Sequence, residues 1–112
     1  MKTARRFGHP IARTDSSQGW PQPGILECDL GSPRKVAHVV LEEEIAKGQH
    51  VLSGALDAMA GAAWKTVAEG QSIGRKRIER FQPPITAQKI RLRVLQADAI
   101  PAISAMTVHP EY

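Results

Sequence analysis

The sequence is poor in several features that define large classes of proteins. It contains one cysteine, Cys28, so it can form neither an internal disulfide nor a cysteine-based zinc site. No apolar run approaches the roughly 20 residues that a membrane helix needs. The start, MKTARRFGHP, has basic residues but no apolar segment, so no signal peptide is visible. Gly-rich phosphate loops, nucleophile elbows and histidine pairs at metal spacing are also missing, which excludes the enzyme classes that those motifs define.

Length and composition allow one small domain. The chain has 112 residues, of which 42% are hydrophobic, and this is enough for a single core. A (β/α)₈ barrel needs roughly 250 residues, so this common catalytic scaffold cannot fit.

The positive charge is concentrated at the beginning of the chain. The sequence pI is about 9.6, which is typical of proteins that bind nucleic acid or anionic surfaces. Lys2, Arg5, Arg6 and Arg13 all precede the first acid, Asp15, and the rest of the chain holds 11 basic and 11 acidic residues. We therefore interpret residues 1–19 as a basic N-terminal segment, disordered or truncated, that is solvated and mobile. The alternative is a phosphate-binding arm.

Short segments of alternating apolar residues recur along the chain, separated by turn residues. In the first, Leu26, Cys28 and Leu30 share one face, which predicts a strand with a buried thiol. Turn residues at Gly31-Ser32-Pro33 are expected to end this strand, and Pro83-Pro84 to end a later one. Seven such segments at intervals of roughly 8–12 residues predict an all-β sandwich; they are residues 25–30, 36–41, 51–60, 64–68, 78–81, 90–94 and 104–109.

One of these segments is ambiguous. Val51–Ala60 is rich in helix-forming residues, and the preceding LEEEIAKG could form a short helix ending at Gly48. We favour a strand, because Gly61-Ala62-Ala63 and the apolar segment after it are typical of a hairpin return. As a strand, it places Leu52, Leu56 and Ala58 on one face.

Other positions are assigned to the core or the surface by the same alternation. Ile90, Leu92 and Val94 are expected to face inward, with the arginines between them facing outward. Trp64 begins a strand and is expected in the core, and His38 in mid-strand is expected to be structural.

The order of the segments resembles a known domain. Four segments are similar, in this order, to the C-terminal discoidin-like domain of α-L-fucosidases, which are family 29 glycoside hydrolases. They are ILECDLGSPRKVAHVVLEEEI, GQHV, AWKTVAEGQSIGRKRIERF and ITAQKIRLRVLQADAIPAISAMTVH. That domain belongs to the coagulation-factor C-type, galactose-binding-like superfamily. The resemblance covers about residues 20–109 and implies a galactose-binding-like jelly-roll β-sandwich over residues 20–112. It also implies attachment to a catalytic barrel in a periplasmic or secreted parent enzyme.

The resemblance raises the question of calcium. Many discoidin-like domains hold Ca²⁺ with carbonyls, an Asp in the first loop and a Glu just after the Ile-Ser of the last strand. Asp15 would be the side-chain ligand here, but Ala105 occupies the Glu position and supplies no carboxylate. Because Ca²⁺ needs six to eight oxygen ligands, we expect no cofactor. A strand that usually precedes the first loop is also hard to see, which predicts a truncated or rearranged N-terminal end.

Four polar loops are expected at one end of the sandwich. If successive strands run antiparallel, residues 13–24, 42–50, 69–77 and 96–103 fall together, and this end resembles the sugar-binding end of related modules. The ligand-binding candidates there are Trp20, His50, Gln71, Arg75, Lys76, Arg77 and Asp98.

Each candidate also has a structural interpretation. Trp20 is either a stacking platform for a sugar or a plug at the base of the sandwich. His50 either donates to an axial hydroxyl or is a surface residue without a role. The basic run 75–77 either binds ligand, is a solvated loop or contacts a catalytic domain, and Glu42–Glu44 is expected to be a solvated charge run.

The leading hypothesis is a non-catalytic carbohydrate-binding or accessory domain that holds a glycosidase on fucosylated or galactosylated glycans. Catalysis by this chain alone is not expected, because nothing suggests a cleft with the paired carboxylates of glycoside hydrolysis. One alternative is a structural appendage that docks on a catalytic barrel. The other is a small nucleic-acid-binding protein, which would be favoured if residues 41–60 formed a helical pair before the basic segment. Membrane partners are not expected.

Overall fold

The computed structural model describes residues 9–110 and is an all-β domain. Its six strands form one antiparallel sheet in the order β1-β6-β2-β5-β3-β4. The strands are β1 (Ala12–Thr14), β2 (Ile25–Glu43), β3 (Val51–Ala60), β4 (Ala63–Gln71), β5 (Arg77–Ala97) and β6 (Ile103–His109), with a 3₁₀ helix at Ile45–Lys47. Within the described residues, no helix is long and apolar enough to cross a membrane.

The sheet folds over on itself because β2 and β5 are long and bent. The first part of β2 pairs with the last part of β5, from Ile25 opposite Arg93 to Asp29 opposite Lys89. Its second part pairs with the beginning of β5 and, on its other side, with β6. One layer therefore contains β1, β6, the second half of β2 and the first half of β5. The other contains the first half of β2, the second half of β5, β3 and β4, which together make the predicted β-sandwich.

All seven predicted strand segments lie in strands, but two of the predicted ends are wrong. Both β2 and β5 continue through their predicted breaks, at Gly31-Ser32-Pro33 and Pro83-Pro84. Register shifts between Asp29 and Arg34 and near residues 36–38 show that these sites bend the strands without ending them. The prolines lie where β5 pairs on one side only, a position at which a missing N–H is tolerated.

β1 is a strand that the sequence did not suggest, since three residues are too few to show alternation. It pairs with β6 and places Arg13 within the fold, so Arg13 does not belong to a solvated tail. The rest of the basic run, with Lys2, Arg5 and Arg6, lies outside the described residues.

The ambiguous segment forms β3, as predicted, and helical structure before it is limited to the 3₁₀ turn that ends at Gly48. The helical pair that would favour the nucleic-acid alternative is therefore not formed. The prediction for Leu52 is wrong: it is 48% exposed, whereas Val51 is buried. Register shifts on both sides of Ser53 interrupt the alternation, so the face expected from Leu56 does not extend to Leu52.

The core lies between the two layers and agrees with most of the predicted inward positions. Leu26, Cys28 and Leu30 are all buried, as are Ile90 and Leu92, whereas Val94 is partly buried. Desolvation raises the pKa of the Cys28 thiol to about 11, so it behaves as a small hydrophobic group.

The environment predicted for Trp64 is wrong, whereas that predicted for His38 is confirmed. Trp64 is not in the core, because it lies opposite Met59 on the outer face, with the Arg91 guanidinium 4.2 Å from its ring centroid. His38 is buried, as expected for a structural residue, and its ring stacks on that of His109 at a centroid distance of 4.6 Å.

Candidate functional site

The four polar loops meet at one end of the sandwich. Glu43 N donates to Gly74 O at 3.0 Å, and Asp98 N donates to His50 O at 3.1 Å. In the first loop, Ser16 N donates to the carbonyl of Ile103, also at 3.0 Å. The loops therefore form one connected surface, which we call the loop end.

Glu43 is the residue that joins two of these loops, and the sequence did not single it out. Its side chain is buried, so the expectation of a solvated charge run at Glu42–Glu44 is wrong at this position. Oε2 accepts hydrogen bonds from His50 N at 2.6 Å and Val51 N at 3.1 Å, and Oε1 accepts one from Gly74 N at 3.3 Å. The pairing of β2 with β6 shifts register between Glu42 and Glu43, a tertiary feature that distinguishes Glu43 from its acidic neighbours.

His50 and Asp98 form a pair at the loop end. Nδ1 of His50 lies 2.8 Å from Oδ1 of Asp98, and Nε2 lies 2.9 Å from the carbonyl of Lys47. The hydrogen bond with Asp98, followed by that with Lys47, raises the pKa of His50. Both ring nitrogens face acceptors, an arrangement that the doubly protonated imidazolium satisfies. His50 therefore links the 47–50 loop to Asp98, and neither ring nitrogen remains available to donate to a ligand.

Arg77 is also used internally. Its Nε donates to Glu79 at 2.5 Å, and Nη1 donates to the carbonyls of Gln71 and Ser72 at 2.8 and 3.1 Å. The guanidinium passes over Gly70, where an added Cβ would lie 2.0 Å from Nη2, so a side chain at this position would displace the guanidinium. Gln71 itself is exposed at the end of β4.

Trp20 lies between the loop end and the core. Its Nε1 donates to the carbonyl of Pro101 at 3.0 Å, and its half-buried ring packs against the core cluster. These contacts match the plug interpretation of Trp20 rather than the stacking platform.

Arg75 and Lys76 are the predicted candidates that both remain available and line a cleft. They line an open cleft of about 420 Å³, together with the acids of 42–44, Ile45 and Ser104. Both are exposed, and within residues 9–110 neither side chain has a hydrogen bond or ion pair. The structure thus does not bring the seven predicted residues into one pocket. Arg75 and Lys76 line this cleft, Gln71 is exposed outside it, and the other four hold the loops around it: Trp20, His50, Arg77 and Asp98.

Asp15 lies in the first loop with both carboxylate oxygens already engaged. Oδ1 accepts from Ser17 Oγ at 2.6 Å and from Ser17 N at 3.0 Å, and Oδ2 accepts from Arg13 at 3.0 Å. These bonds, that of the Ser17 hydroxyl first, lower the pKa of Asp15. Arg13 also donates to the carbonyl of Ser104 at 3.0 Å.

The Arg13 guanidinium therefore already supplies positive charge between Asp15 and the last strand. Within the described part of the chain, no three His, Cys, Asp or Glu side chains gather as metal ligands. Both carboxylate oxygens of Asp15 are thus engaged within the domain, and the expectation that no cofactor binds stays a prediction.

No family model matches the chain. A candidate α-L-fucosidase 1 from Oryza sativa subsp. japonica is 34% identical over 76 residues, covering 68% of this chain and 14% of the rice protein. The structure of a candidate α-L-fucosidase from Bacteroides thetaiotaomicron VPI-5482 matches 96% of this chain and 24% of its own, with a TM-score of 0.85 and 32% identity. The family 32 carbohydrate-binding module of C. perfringens NanJ, in complex with galactose, matches 87% of this chain and 74% of its own, with a TM-score of 0.65 and 20% identity.

These similarities differ in what they establish. The chain spans 14% and 24% of the two α-L-fucosidases, so it corresponds to one part of such a protein. At 20% identity, the carbohydrate-binding module shows the fold alone. The predicted resemblance and the predicted fold class are both confirmed. The chain is a discoidin-like, galactose-binding-like β-sandwich domain related to part of the α-L-fucosidases.

Proposed function

We propose that this domain binds glycans for an α-L-fucosidase through the cleft at its loop end, and that catalysis belongs to another part of the parent enzyme. The observation that carries the proposal is the position of Arg75 and Lys76, which face a cleft without internal partners while the residues around them hold the loops. The fold shared with a galactose-bound module supports the same ligand class.

The cleft has the groups that sugar hydroxyls require. A guanidinium and an ammonium donate hydrogen bonds, and the carboxylates of Glu42 and Glu44 and the hydroxyl of Ser104 accept them. Ile45, which is 37% exposed, offers a limited apolar surface for the C–H face of a sugar ring. A site of this kind binds weakly, but it raises the local concentration of an attached enzyme near its glycans.

The test is a heteronuclear NMR titration of the domain with L-fucose, D-galactose and a fucosylated oligosaccharide. We expect shifts at the amides of 42–45 and 74–76, and their loss in the double variant Arg75→Ala/Lys76→Ala. The matched control is Arg34→Ala/Lys35→Ala, which removes the same charge from exposed positions outside the cleft. Equal binding by both variants, or no shifts up to tens of millimolar sugar, would contradict the proposal.

A second candidate function is docking on the catalytic domain, favoured by an exposed apolar pair. Leu52 and Leu95 lie at neighbouring register shifts of β3 and β5 and are 48% and 47% exposed. Two bulge residues that both present leucine to solvent are suited to an apolar partner. Binding of the domain to a separately produced α-L-fucosidase catalytic domain, weakened by Leu52→Ser/Leu95→Ser, would support this function.

A further inference from the structure

A second cleft, which we call the side cleft, lies on the flank of the sandwich. It is bounded by β1, the loop after it and the beginning of β2, and it has a volume of about 580 Å³. β1 pairs with β6 and the first half of β2 pairs with β5, so two strand edges face each other across this flank. The side cleft shares no residue with the loop-end cleft, and its volume is within the range of about 300–1,000 Å³ typical of small-molecule sites.

The loop that forms one wall of the side cleft is held firmly. Ser16 Oγ accepts a hydrogen bond from Ile103 N at 2.8 Å, in addition to the backbone bond between the same residues. Trp20 pins the middle of the loop to Pro101, and the carbonyl of Gly24 accepts from Val94 N at 2.8 Å. A wall fixed at three points needs little ordering when a ligand binds, which lowers the entropic cost of binding.

The available polar groups of the side cleft are two amides and one acid. Gln18, Gln22 and Glu27 are exposed, and their side chains make no hydrogen bond or ion pair in the described residues. A carboxamide both donates and accepts, as sugar hydroxyls do. Pro21 and Ile25 add apolar surface beside them.

The charges of the side cleft disfavour an anionic ligand. Among residues 9–110, Arg13 is the one cation that lines it, and its guanidinium is already shared between Asp15 and the carbonyl of Ser104. Glu27 adds a negative charge that repels phosphate, sulfate or a sugar acid. The loop-end cleft differs, because its cations, Arg75 and Lys76, have no partners among the described residues and remain available to an anionic group.

We propose that the side cleft binds a neutral sugar ring as a second glycan subsite, and this proposal rests on the proposed function. Gln18 and Gln22 exchange hydrogen bonds with the hydroxyls, and Glu27 accepts from a further one. The C–H face of the ring lies against Pro21 and Ile25. A domain with two separate clefts can engage two sugar units of one glycan, which strengthens binding without a new contact in either cleft.

The experiment is an NMR titration of the domain with L-fucose, D-galactose and D-glucuronate. We expect shifts at the amides of 18–27 with the neutral sugars, and about tenfold weaker binding at this cleft in Gln18→Ala/Gln22→Ala, as two lost hydrogen bonds imply. The matched control is Gln82→Ala/Gln96→Ala, which removes two exposed carboxamides outside both clefts. The ¹H–¹⁵N spectra of both variants report whether the fold is retained.

The outcomes separate this inference from the proposed function. Shifts confined to 42–45 and 74–76 would overturn the side cleft and leave the proposed function in place. Shifts in neither cleft would overturn both. Equal affinity of the glutamine double variant and its control, or tighter binding of glucuronate than of the neutral sugars at 18–27, would overturn the side-cleft proposal alone.

Discussion

Arg93 holds the carboxylate of Asp57 with two hydrogen bonds, from Nε to Oδ2 at 2.6 Å and from Nη2 to Oδ1 at 3.1 Å. Arg91 adds a third at 2.7 Å, and the Thr66 hydroxyl a fourth at 2.9 Å. Asp57 faces outward from the sheet and is still only 1% exposed, because the two arginines and their neighbours cover it. This charged cluster joins three adjacent strands, β3, β4 and β5, on the outer face of the layer.

Asp57→Ala tests how much the cluster contributes to stability. The substitution removes four hydrogen bonds and leaves two partly exposed arginines without their acceptor, so we expect a loss of about 2–3 kcal/mol of unfolding free energy. Urea denaturation measures the loss. Glu42→Ala, at an acid outside the cluster, is the control and is expected to change stability by less than about 0.5 kcal/mol. Equal effects of the two substitutions would contradict the structural role of Asp57.

The same cluster predicts how stability depends on acid pH. Burial alone would raise the pKa of Asp57, but hydrogen bonds from Arg93, Arg91 and Thr66 outweigh it and lower the pKa to about 2. The contribution of Asp57 is therefore complete above the unfolded pKa of about 3.9 and is lost as the pH falls toward 2. The integrated loss is about 2–3 kcal/mol, at about 1.4 kcal/mol per pKa unit.

The variant Asp57→Asn cannot titrate and isolates this effect. We expect the difference in unfolding free energy between wild type and variant to shrink as the pH is lowered from about 4 to 2. Urea titrations at several pH values measure it. A difference that stays constant over this range would mean that the pKa of Asp57 is not lowered in the folded domain.

The strands could be predicted from the sequence because their signal is local. The alternation in Leu26, Cys28 and Leu30 and the turn residues between segments depend on neighbouring positions alone, and even the helix-forming composition of Val51–Ala60 did not obscure the hairpin. The environments predicted for Leu52 and Trp64 are wrong for a different reason. A bulge or a change of face is decided by the partner strand, which the pattern of one segment does not contain.

The sequence was enough to predict which loops lie together at the candidate site, but not which of their side chains are bound to one another. The order of loops indicates which of them share an end, and the loop end does gather them. The sequence does not reveal that Arg77 is bound to Glu79, that His50 is bound to Asp98, or that Glu43 is buried. Charged residues look alike in sequence, and only tertiary contacts decide which remain available to a ligand.

Glu43→Ala is expected to loosen the loop end without unfolding the sandwich. Three backbone N–H groups, those of His50, Val51 and Gly74, lose their acceptor, which costs about 1–3 kcal/mol. Hydrogen exchange should show faster exchange at these three amides, with the amides of β6 less affected. Glu42→Ala, at the neighbouring acid, is the control and should leave all three unchanged. Retained protection in Glu43→Ala would show that the buried carboxylate does not hold these loops.

His50 is expected to titrate above its ordinary value of 6.5, because the hydrogen bonds with Asp98 and Lys47 raise its pKa. A raised pKa means that the stabilising contribution is complete below the unfolded pKa and is lost as the pH rises through the folded pKa. Asp98→Asn removes the carboxylate, so the pKa of His50 should fall toward 6.5 and the stability difference from wild type should vanish at high pH. NMR of the imidazole carbon-bound protons measures the pKa directly, and Glu42→Gln serves as a control that removes another acid of the loop end. A wild-type His50 that titrates at or below 6.5 would mean that the pair with Asp98 does not hold the 47–50 loop in solution.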